Sequence, residues 1–412
     1  MTDQGRPRLA SRLAFLHEDP HLRGGGEAVL ERLSRMAASH VRVDLGLLFG
    51  CSRPEATPAW SQFDRVATFD FPRRLRGADA LSLLRNTLAL RRWLRQQDVG
   101  ACVAMTFAAA FRGALAAAGT GSRLVWVCNF SVRTQGRRQV MRSLALRGLG
   151  LSGAVAICPS LAARDELAAL GYPRHRLRVI NYGVDLERHG RARRGQAERA
   201  HFRRRHGIPV EDVMVLHVAR IDPVKNHDVL LRALAIAGRE GARIVLVCLG
   251  DTSPEHAGYA AGLRARAAAL GVAERVLFVG HHGDVPSWLG AADVAVLSSH
   301  TETAGLVLME AAASRLPLLA SPVGSAPELV VPGQSGYLFD PDDAQGCARH
   351  LLALAASETH RRELGAGARS LAERFFDQRQ CDRQWQALLA ELLDWPDFGP
   401  EEMPAACWEA AT

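Results

Sequence analysis

This chain of 412 residues lacks several features that define whole classes of protein. It has no run of 18 uncharged apolar residues, so no transmembrane helix is predicted, and its N-terminal apolar segment is too short for a secretory signal. Its eight cysteines form no C-x-x-C pair, and several lie in apolar segments. They are therefore expected to be buried thiols in a reducing cytoplasm, without a zinc site or a disulfide framework.

Lysine is almost absent as well. Of the 51 cationic residues, 50 are arginine, and Lys225 is the exception. A solvated cation in this chain would be expected to be arginine, so the single lysine predicts a functional position. It stands in V-A-R-I-D-P-V-K-N, directly after an apolar strand, with Arg220 on the other side of the proline turn. A guanidinium fork beside a compact ammonium charge could hold a diphosphate.

The positive charge is concentrated in the N-terminal part of the chain. Residues 1–189 carry 28 arginines and 15 carboxylates, a balance of +13, whereas residues 190–412 have a balance of −5. Arginines recur within Arg73–Arg95 and Arg133–Arg147, and in the second segment they have helical spacing. Nucleic acid, an anionic membrane surface, an anionic acceptor and a merely solvated arginine-rich surface are all open explanations.

Apolar strands alternate with helical segments along most of the chain, which favours open parallel sheets. Gly24, Gly25 and Gly26 precede a predicted helix over Glu27–Ser39 and would let a ligand approach the backbone. A plain flexible turn is the alternative. The sequence has no G-x-G-x-x-G dinucleotide-binding fingerprint there. The polar stretch Glu187–Arg205 is predicted to be the start of the connection to a second alternating unit. The predicted strands are Arg12–His17, Val41–Leu48, Val66–Phe69, Ala101–Thr106, Leu124–Cys128 and Ala154–Cys158, then Val213–Val218, Arg243–Leu249, Val276–Gly280, Val294–Leu297 and Leu318–Ser321; the last long helical patterns are Ala344–Ala356 and Arg361–Leu393.

The segment S-S-H-T-E-T-A-G-L-V-L-M-E-A-A-A-S combines two carboxylates with the start of a predicted helix. The bare amides of Gly305, Leu306 and Val307 would face outward at the positive end of the helix dipole, which is a ready anion site. Seven residues separate Glu302 in the loop from Glu310 on the helix. Glu310 lies among apolar residues, where a carboxylate is costly without a partner. Two solvent-exposed glutamates are the alternative.

Four segments occur in the order seen in family 4 glycosyltransferases of the GT-B fold, which the chain resembles over nearly its whole length. They are V-A-R-I-D-P-V-K-N-H, V-L-F-V-G-H-H-G-D-V, the E-x7-E segment just described and S-P-V-G-S-A-P-E-L-V; N-Y-G-V-D is similar to the family's N-G-V-D hinge signature. The resemblance implies an α/β protein with two doubly wound parallel-sheet (Rossmann-like) domains facing across a cleft. It implies an acceptor-side domain over 1–186 and a nucleotide-sugar-binding domain over 187–375. Over 376–412 it implies a helix packed back toward the first domain and an acidic, proline-rich tail.

The same resemblance implies roles for individual residues. The expected catalytic residues are Glu302, which would contact the donor sugar, and Arg220 and Lys225, which would neutralise the donor diphosphate; the expected substrate-binding residues are Gly25, Gly26, Gly305, Leu306 and Val307 near the phosphates, with Glu310 on the ribose hydroxyls. The family retains anomeric configuration by same-face attack with the leaving diphosphate as base, and it needs no metal and no cofactor. The absence of a D-x-D motif agrees with that.

One position departs from the family pattern. Relatives commonly have a histidine after the strand that corresponds to Leu124–Cys128, and Cys128 and Asn129 stand there in this chain. Either His17 or His21 serves instead, or the site handles an unusual donor or acceptor.

The reaction implied is transfer of a sugar from a nucleoside-diphosphate sugar, foremost a UDP-sugar, to an acceptor hydroxyl. It would serve cell-surface polysaccharide, lipid-linked glycan or glycosylated metabolite synthesis, with an anionic or lipid-linked acceptor and a peripheral contact at the inner membrane face. A nucleotide-sugar epimerase of the same fold is one alternative. A non-enzymatic basic protein that binds nucleic acid or membrane is another, but it leaves the phosphate-binding residues unexplained, and no nucleic-acid-binding motif is present.

Overall fold

The structure, a computed structural model, describes residues 12–18, 25–49, 61–72, 79–129, 137–192 and 195–393. These residues form two compact units. The first unit contains the described residues up to Ile180 together with those from Asp382 onward, and the second runs from Asn181 to Cys381. The predicted acidic tail after residue 393 lies outside the described residues.

Seven parallel strands form the sheet of the first unit. They are β1 (Arg12–His17), β2 (Val43–Leu47), β3 (Arg65–Thr68), β4 (Val99–Ala104), β5 (Arg123–Val127), β6 (Val155–Cys158) and β7 (Leu177–Val179), with the helices α1 (Gly25–Ala38), α2 (Ala80–Gln96), α3 (Phe107–Ala117), α4 (Arg137–Leu151) and α5 (Leu161–Ala169) between them. Their order across the sheet is β3-β2-β1-β4-β5-β6-β7. The order reverses between β1 and β4, the kind of place where open α/β sheets bind ligands.

Six parallel strands form the sheet of the second unit. They are β8 (Val213–Val218), β9 (Ile244–Leu249), β10 (Val276–Gly280), β11 (Val294–Leu297), β12 (Leu318–Ala320) and β13 (Gly336–Leu338). The helices are α6 (Leu186–Ala192), α7 (Gln196–Arg205), α8 (His227–Arg239), α9 (Ala257–Ala269), α10 (Val285–Ala291), α11 (Leu306–Ala313), α12 (Ala326–Leu329), α13 (Ala344–Ala356) and α14 (Glu358–Phe375); α15 (Gln378–Leu393) begins in the second unit and ends in the first. The strand order is β10-β9-β8-β11-β12-β13, so the reversal falls between β8 and β11.

Each sheet has its own apolar core because its strands are covered by helices. All six residues of β9 are buried, as are those of β11. Strands covered on both faces need continuous apolar runs, and these runs allowed the strands to be predicted from the sequence. Two parallel sheets with intervening helices confirm the predicted α/β class.

The short or polar elements differ from the prediction. Strands β7 and β13 were not predicted because each has only three residues and is partly exposed, whereas the equally short β12 is a fully buried apolar run. The stretch Glu187–Arg205, predicted as the start of the connection, holds most of α6 and all of α7. The predicted helix over Arg361–Leu393 is two helices, which separate at Phe376 and Asp377.

Within the residues that the structure describes, no helix is long and apolar enough to cross a membrane. The six cysteines in these ranges are buried, as expected from their apolar surroundings. Burial raises the pKa of Cys102 and of Cys248 to about 12, so both are unreactive thiols at neutral pH.

Candidate active site

An ion pair between Lys225 and Glu302 lies at the carboxyl edge of the second sheet. Lys225 Nζ donates to Glu302 Oε1 at 2.5 Å, and Ser299 Oγ donates to the same oxygen at 2.9 Å. Only 19% of the lysine side chain and 17% of the glutamate side chain are exposed. A charge pair so far out of water depends on both members, since loss of one leaves the other charge uncompensated.

The two members come from loops that follow neighbouring strands. Strand β8 ends at Val218, and a short 3₁₀ turn then places Lys225 beside the loop that follows β11. The strands pair in parallel, so their carboxyl ends lie side by side. His300 N donates to Val224 O at 2.8 Å, and Ser298 Oγ donates to Lys225 O at 2.8 Å. These two hydrogen bonds fix the loops to each other and hold the ion pair in place.

Arg220 lies in the same β8 loop and faces solvent. Its side chain is 61% exposed, and its nearest carboxylate, that of Asp222, is 3.8 Å away. Asp222 is itself engaged, because its side chain accepts from Val224 N at 2.9 Å and caps the 3₁₀ turn. The guanidinium of Arg220 is therefore available to an anionic ligand.

Gly250 after β9 allows this loop to pass close to the neighbouring strand. A Cβ on Gly250 would lie 2.1 Å from Ala219 O, which no side chain could tolerate without moving the backbone. This glycine was not predicted from the sequence. The signal was the L-G-D that ends an apolar strand, where a close backbone approach calls for glycine.

The amides of Gly305, Leu306 and Val307 open helix α11. Gly305 caps the helix in the left-handed conformation, with φ 77° and ψ 51°. The first amides of a helix have no acceptor within it. Among the described residues none of the three donates a hydrogen bond to an acceptor. Three donors at the positive end of the helix therefore point away from it and suit an anion.

Glu310 lies just over one turn into α11. Its neighbours Met309 and Ala311 are fully buried, and the Glu310 side chain is itself half-buried. Burial raises the pKa of Glu310 to about 7, and the positive charge of Arg188 on α6 offsets part of that rise. No described residue makes a hydrogen bond to its carboxyl group. The predicted cost of this carboxylate is thus present, and among the described residues only the charge of Arg188 is seen to offset it.

Gly324 shapes the loop that carries Glu302. It has φ 58°, and a Cβ there would lie 3.0 Å from both Glu302 Cβ and Ala304 O. Ser325 N donates to Ala304 O at 2.9 Å, which ties the loop after β12 to the loop after β11. In the sequence, S-P-V-G-S was only part of the family resemblance. The positive φ and the close approach to Glu302 explain why glycine is needed at position 324.

Two buried histidines, which the sequence analysis did not single out, lie behind Lys225. His217 on β8 and His227 at the start of α8 have ring centroids 4.5 Å apart, and His217 Nδ1 lies 3.0 Å from Val296 O. Burial lowers the pKa of His217 to about 4 and that of His227 well below its ordinary value, and the charge of Lys225 acts in the same direction. Both rings are therefore neutral at neutral pH, so neither adds positive charge beside Lys225.

The remaining predicted residues belong to the first unit. Gly25 and Gly26 begin α1, and a Cβ on Gly26 would lie 3.5 Å from Asn129 Nδ2. Asn129 Nδ2 donates to Met105 O at 2.9 Å, whereas Cys128 is buried in the core. Asn129 rather than Cys128 therefore faces the glycines. His17 is buried at the end of β1, and Gly24 and His21 lie outside the described residues.

In the described part of the chain, no group of three or more His, Cys, Asp or Glu side chains could hold a metal ion. The structure thus brings Lys225, Glu302, Ser299 and His300 together at one edge of the second sheet. Arg220 lies on the same loop as Lys225, and α11 begins directly after the loop of Glu302. Gly25 and Gly26 are on the other unit.

Family models match most of the chain. The model described as Glycosyltransferase Family 4 matches residues 23–188, and that described as Glycosyl transferases group 1 matches residues 198–371. The D-inositol 3-phosphate glycosyltransferases of Streptomyces scabiei and Thermobispora bispora are 37% identical over 204 residues and 32% identical over 262 residues. These alignments cover 48% and 61% of this chain and 45% and 58% of the relatives, so the chain spans about half the length of the relatives that it matches.

A solved structure has the same fold. Anabaena HepE in complex with UDP superposes with a TM-score of 0.80 at 21% identity, covering 92% of this chain and all of that one. The same protein in complex with UDP-glucose gives 0.77 at 22% identity, with 92% and 99% of the two chains covered. Both halves of this chain therefore have counterparts, in sequence models and in a solved fold.

Proposed function

The chain belongs to glycosyltransferase family 4 and has the GT-B fold, and from that premise we propose that it transfers a sugar from a UDP-sugar to an acceptor hydroxyl with retention of anomeric configuration and without a metal. The observation that carries the proposal is the arrangement at the edge of the second sheet. The single lysine and an exposed arginine lie on the loop that follows β8, and three amides that make no hydrogen bond among the described residues lie at the start of α11. All are donors to negative charge, and no carboxylate cluster for a metal lies among the described residues.

Charge development explains why these donors suit sugar transfer. When the bond from the anomeric carbon to the diphosphate breaks, negative charge grows on the phosphate oxygens. Lys225, Arg220 and the amides of α11 would stabilise that charge, which preorganised donors do most effectively where little water competes. In the retaining route, the acceptor hydroxyl attacks the face from which the diphosphate departs and gives its proton to a phosphate oxygen.

Glu302 has a double part in this proposal. It orients Lys225 through the 2.5 Å ion pair, and its second oxygen is free of the contact to Ser299 and Lys225, which both use Oε1. That second oxygen would accept hydrogen bonds from hydroxyls of the donor sugar. Glu310, whose carboxyl has no hydrogen-bond partner among the described residues, would take the ribose hydroxyls.

The acceptor is proposed to be anionic or lipid-linked. The first 189 residues carry a balance of +13, more than a donor diphosphate needs. The similar inositol phosphate glycosyltransferases are named for an anionic acceptor, which supports this class. Synthesis of a cell-surface polysaccharide, a lipid-linked glycan or a glycosylated metabolite fits such an acceptor.

Purified protein tested against UDP-, GDP- and ADP-sugars decides the donor. A thermal shift and slow hydrolysis with one UDP-sugar, both abolished in Lys225→Ala, would support the proposal. Interconversion of the sugar without its release from the nucleotide would show an epimerase instead, and binding to nucleic acid without any turnover would show a non-enzymatic protein.

A further inference from the structure

In the part of the chain that the structure describes, the large exposed apolar residues are confined to three helices of the first unit. Within the described ranges, every large apolar residue that is exposed lies on α2, α3 or α4, and none lies in the second unit. They are Leu81, Leu84 and Leu88 on α2, Leu115 on α3, and Val140, Met141, Leu144 and Leu151 on α4, with exposed fractions from 42% to 82%. Single exposed apolar residues are ordinary, but a set gathered in one place marks an interaction surface.

The three helices are neighbours on one face of the sheet. Each connects strands that step in the same direction across it, from β3 to β4, to β5 and to β6, and right-handed crossovers then place all three on the same side. Helix α3 packs against α2 and against α4. We call the outward face of these helices the α2–α4 surface.

Helical spacing turns the apolar residues into stripes. Leu81, Leu84 and Leu88 are three and four residues apart, so they share one side of α2. The opposite side of this helix packs on the sheet through Leu90 and Leu94. Val140, Met141 and Leu144 likewise share one side of α4 and are exposed. Both stripes therefore face outward and are not simply the edges of the core.

The charge of these helices has one sign. They contain nine arginines and no aspartate, glutamate or lysine. Arg91 and Arg95 bond the carbonyls of Ala118 and Gly119 after α3, which leaves Arg85, Arg92 and Arg147 exposed around the stripes.

These two properties select the partner. A second copy of the surface would bring arginines against arginines, and nucleic acid would leave the aliphatic stripes unpaired because base stacking needs aromatic side chains. An anionic bilayer satisfies both, since leucine and methionine enter the acyl boundary while arginines remain among the headgroups. We propose that the α2–α4 surface docks on the face of a membrane that contains anionic lipid.

The surface holds none of the residues to which donor chemistry is assigned, so docking and transfer are separable. The test is flotation of the full chain with phosphatidylcholine vesicles that contain a rising fraction of phosphatidylglycerol. Wild-type binding should increase with that fraction, about fivefold for each arginine that nears the surface, and should decrease with salt. Absence of binding at low salt and high anionic fraction overturns the proposal.

Two pairs of variants locate the contact. Leu84→Gln, Leu88→Gln, Met141→Gln and Leu144→Gln together should lower vesicle binding by about tenfold or more, whereas Leu84→Met, Leu88→Met, Met141→Leu and Leu144→Met together should keep it. Arg85→Glu with Arg92→Glu should lower it about tenfold, whereas Arg204→Glu with Arg205→Glu, the same charge change on exposed residues of α7, should not. Equal binding by the glutamine variant and the wild type overturns the assigned surface.

Turnover in solution keeps the two proposals apart. The glutamine variant should hydrolyse donor like the wild type in the absence of vesicles, which also shows that it is folded. Vesicle binding without any donor turnover would refute the proposed transfer and leave docking intact. A wild-type dimer in light scattering that the glutamine variant loses, without vesicle binding, would assign the surface to a second copy and overturn docking.

Discussion

The two units have similar folds but differ in the residues that they expose. Both have helices packed on a parallel sheet with a reversal in strand order. The first unit gathers arginines and exposed leucines on α2, α3 and α4, while the second exposes no large apolar residue in its described part and keeps its lone lysine paired. The sheet alone therefore does not determine function, which depends on what the loops and outer helices carry. We attribute donor chemistry to the second unit and attachment to the first.

The largest effect is expected from the second unit. Lys225→Ala and Arg220→Ala should each weaken transition-state stabilisation by about 2–4 kcal/mol and lower kcat/KM accordingly. Each removes a placed charge where negative charge develops. Steady-state kinetics with the preferred donor measure this. Arg204→Ala, an exposed cation of the same unit, is the matched control. Turnover equal to wild type in the Lys225 and Arg220 variants would remove donor chemistry from this sheet edge.

Glu310 should link stability to pH. Burial raises its pKa from about 4.5 to about 7 in the folded chain, so the native state binds more protons between these values. Its contribution to stability is complete below about pH 4.5 and is lost as pH rises through 7. Glu310→Gln should therefore be more stable than wild type by about 1–3 kcal/mol near pH 8, with no gain near pH 4.

Urea unfolding at the two pH values measures that difference. The same substitution should weaken donor binding, because an amide accepts hydroxyl hydrogen bonds less strongly than a carboxylate does. A stability difference that does not change with pH would mean that Glu310 is no more costly to ionise in the folded chain than in the unfolded one.

Alanine substitution of one glycine in each unit tests how much space each backbone leaves for a methyl group. Gly324→Ala places a side chain at φ 58° and 3.0 Å from Glu302 Cβ, so it should cost about 1–2 kcal/mol in stability and displace the loop of Glu302. A Cβ at Gly26 has Asn129 as its nearest described neighbour, at 3.5 Å, so Gly26→Ala should fold normally. Thermal unfolding and donor hydrolysis distinguish the two. Equal loss of activity in both would indicate that Gly26 also needs a bare backbone.

The smallest effect concerns the acceptor. If the arginines of α4 also hold an anionic acceptor, Arg137→Glu with Arg138→Glu should raise its KM about threefold to tenfold and leave the KM for the donor unchanged. Kinetics with a water-soluble acceptor, without vesicles, separate this from docking. An unchanged acceptor KM would limit these arginines to the membrane surface.

Much of this organisation could be predicted from the sequence because parallel strands need uninterrupted apolar runs. The bounds of β8, β10 and β11 agree with the prediction residue for residue. The ion pair of Lys225 and Glu302 could not be predicted, since 77 residues separate its members and their approach depends on β8 lying beside β11. The outward stripe on α2 could not be predicted either, because periodicity shows that a helix has an apolar side and does not show which side meets the sheet.

The anomeric configuration of the first-formed glycoside decides whether the second unit performs the proposed chemistry. The reaction is run with the preferred UDP-sugar in excess EDTA, and proton NMR follows the anomeric signal of the glycoside before any further transfer. Retention by same-face attack predicts a product with the configuration of the donor and an undiminished rate in EDTA. A product of inverted configuration, or a rate abolished by EDTA and restored by a divalent metal, would contradict it.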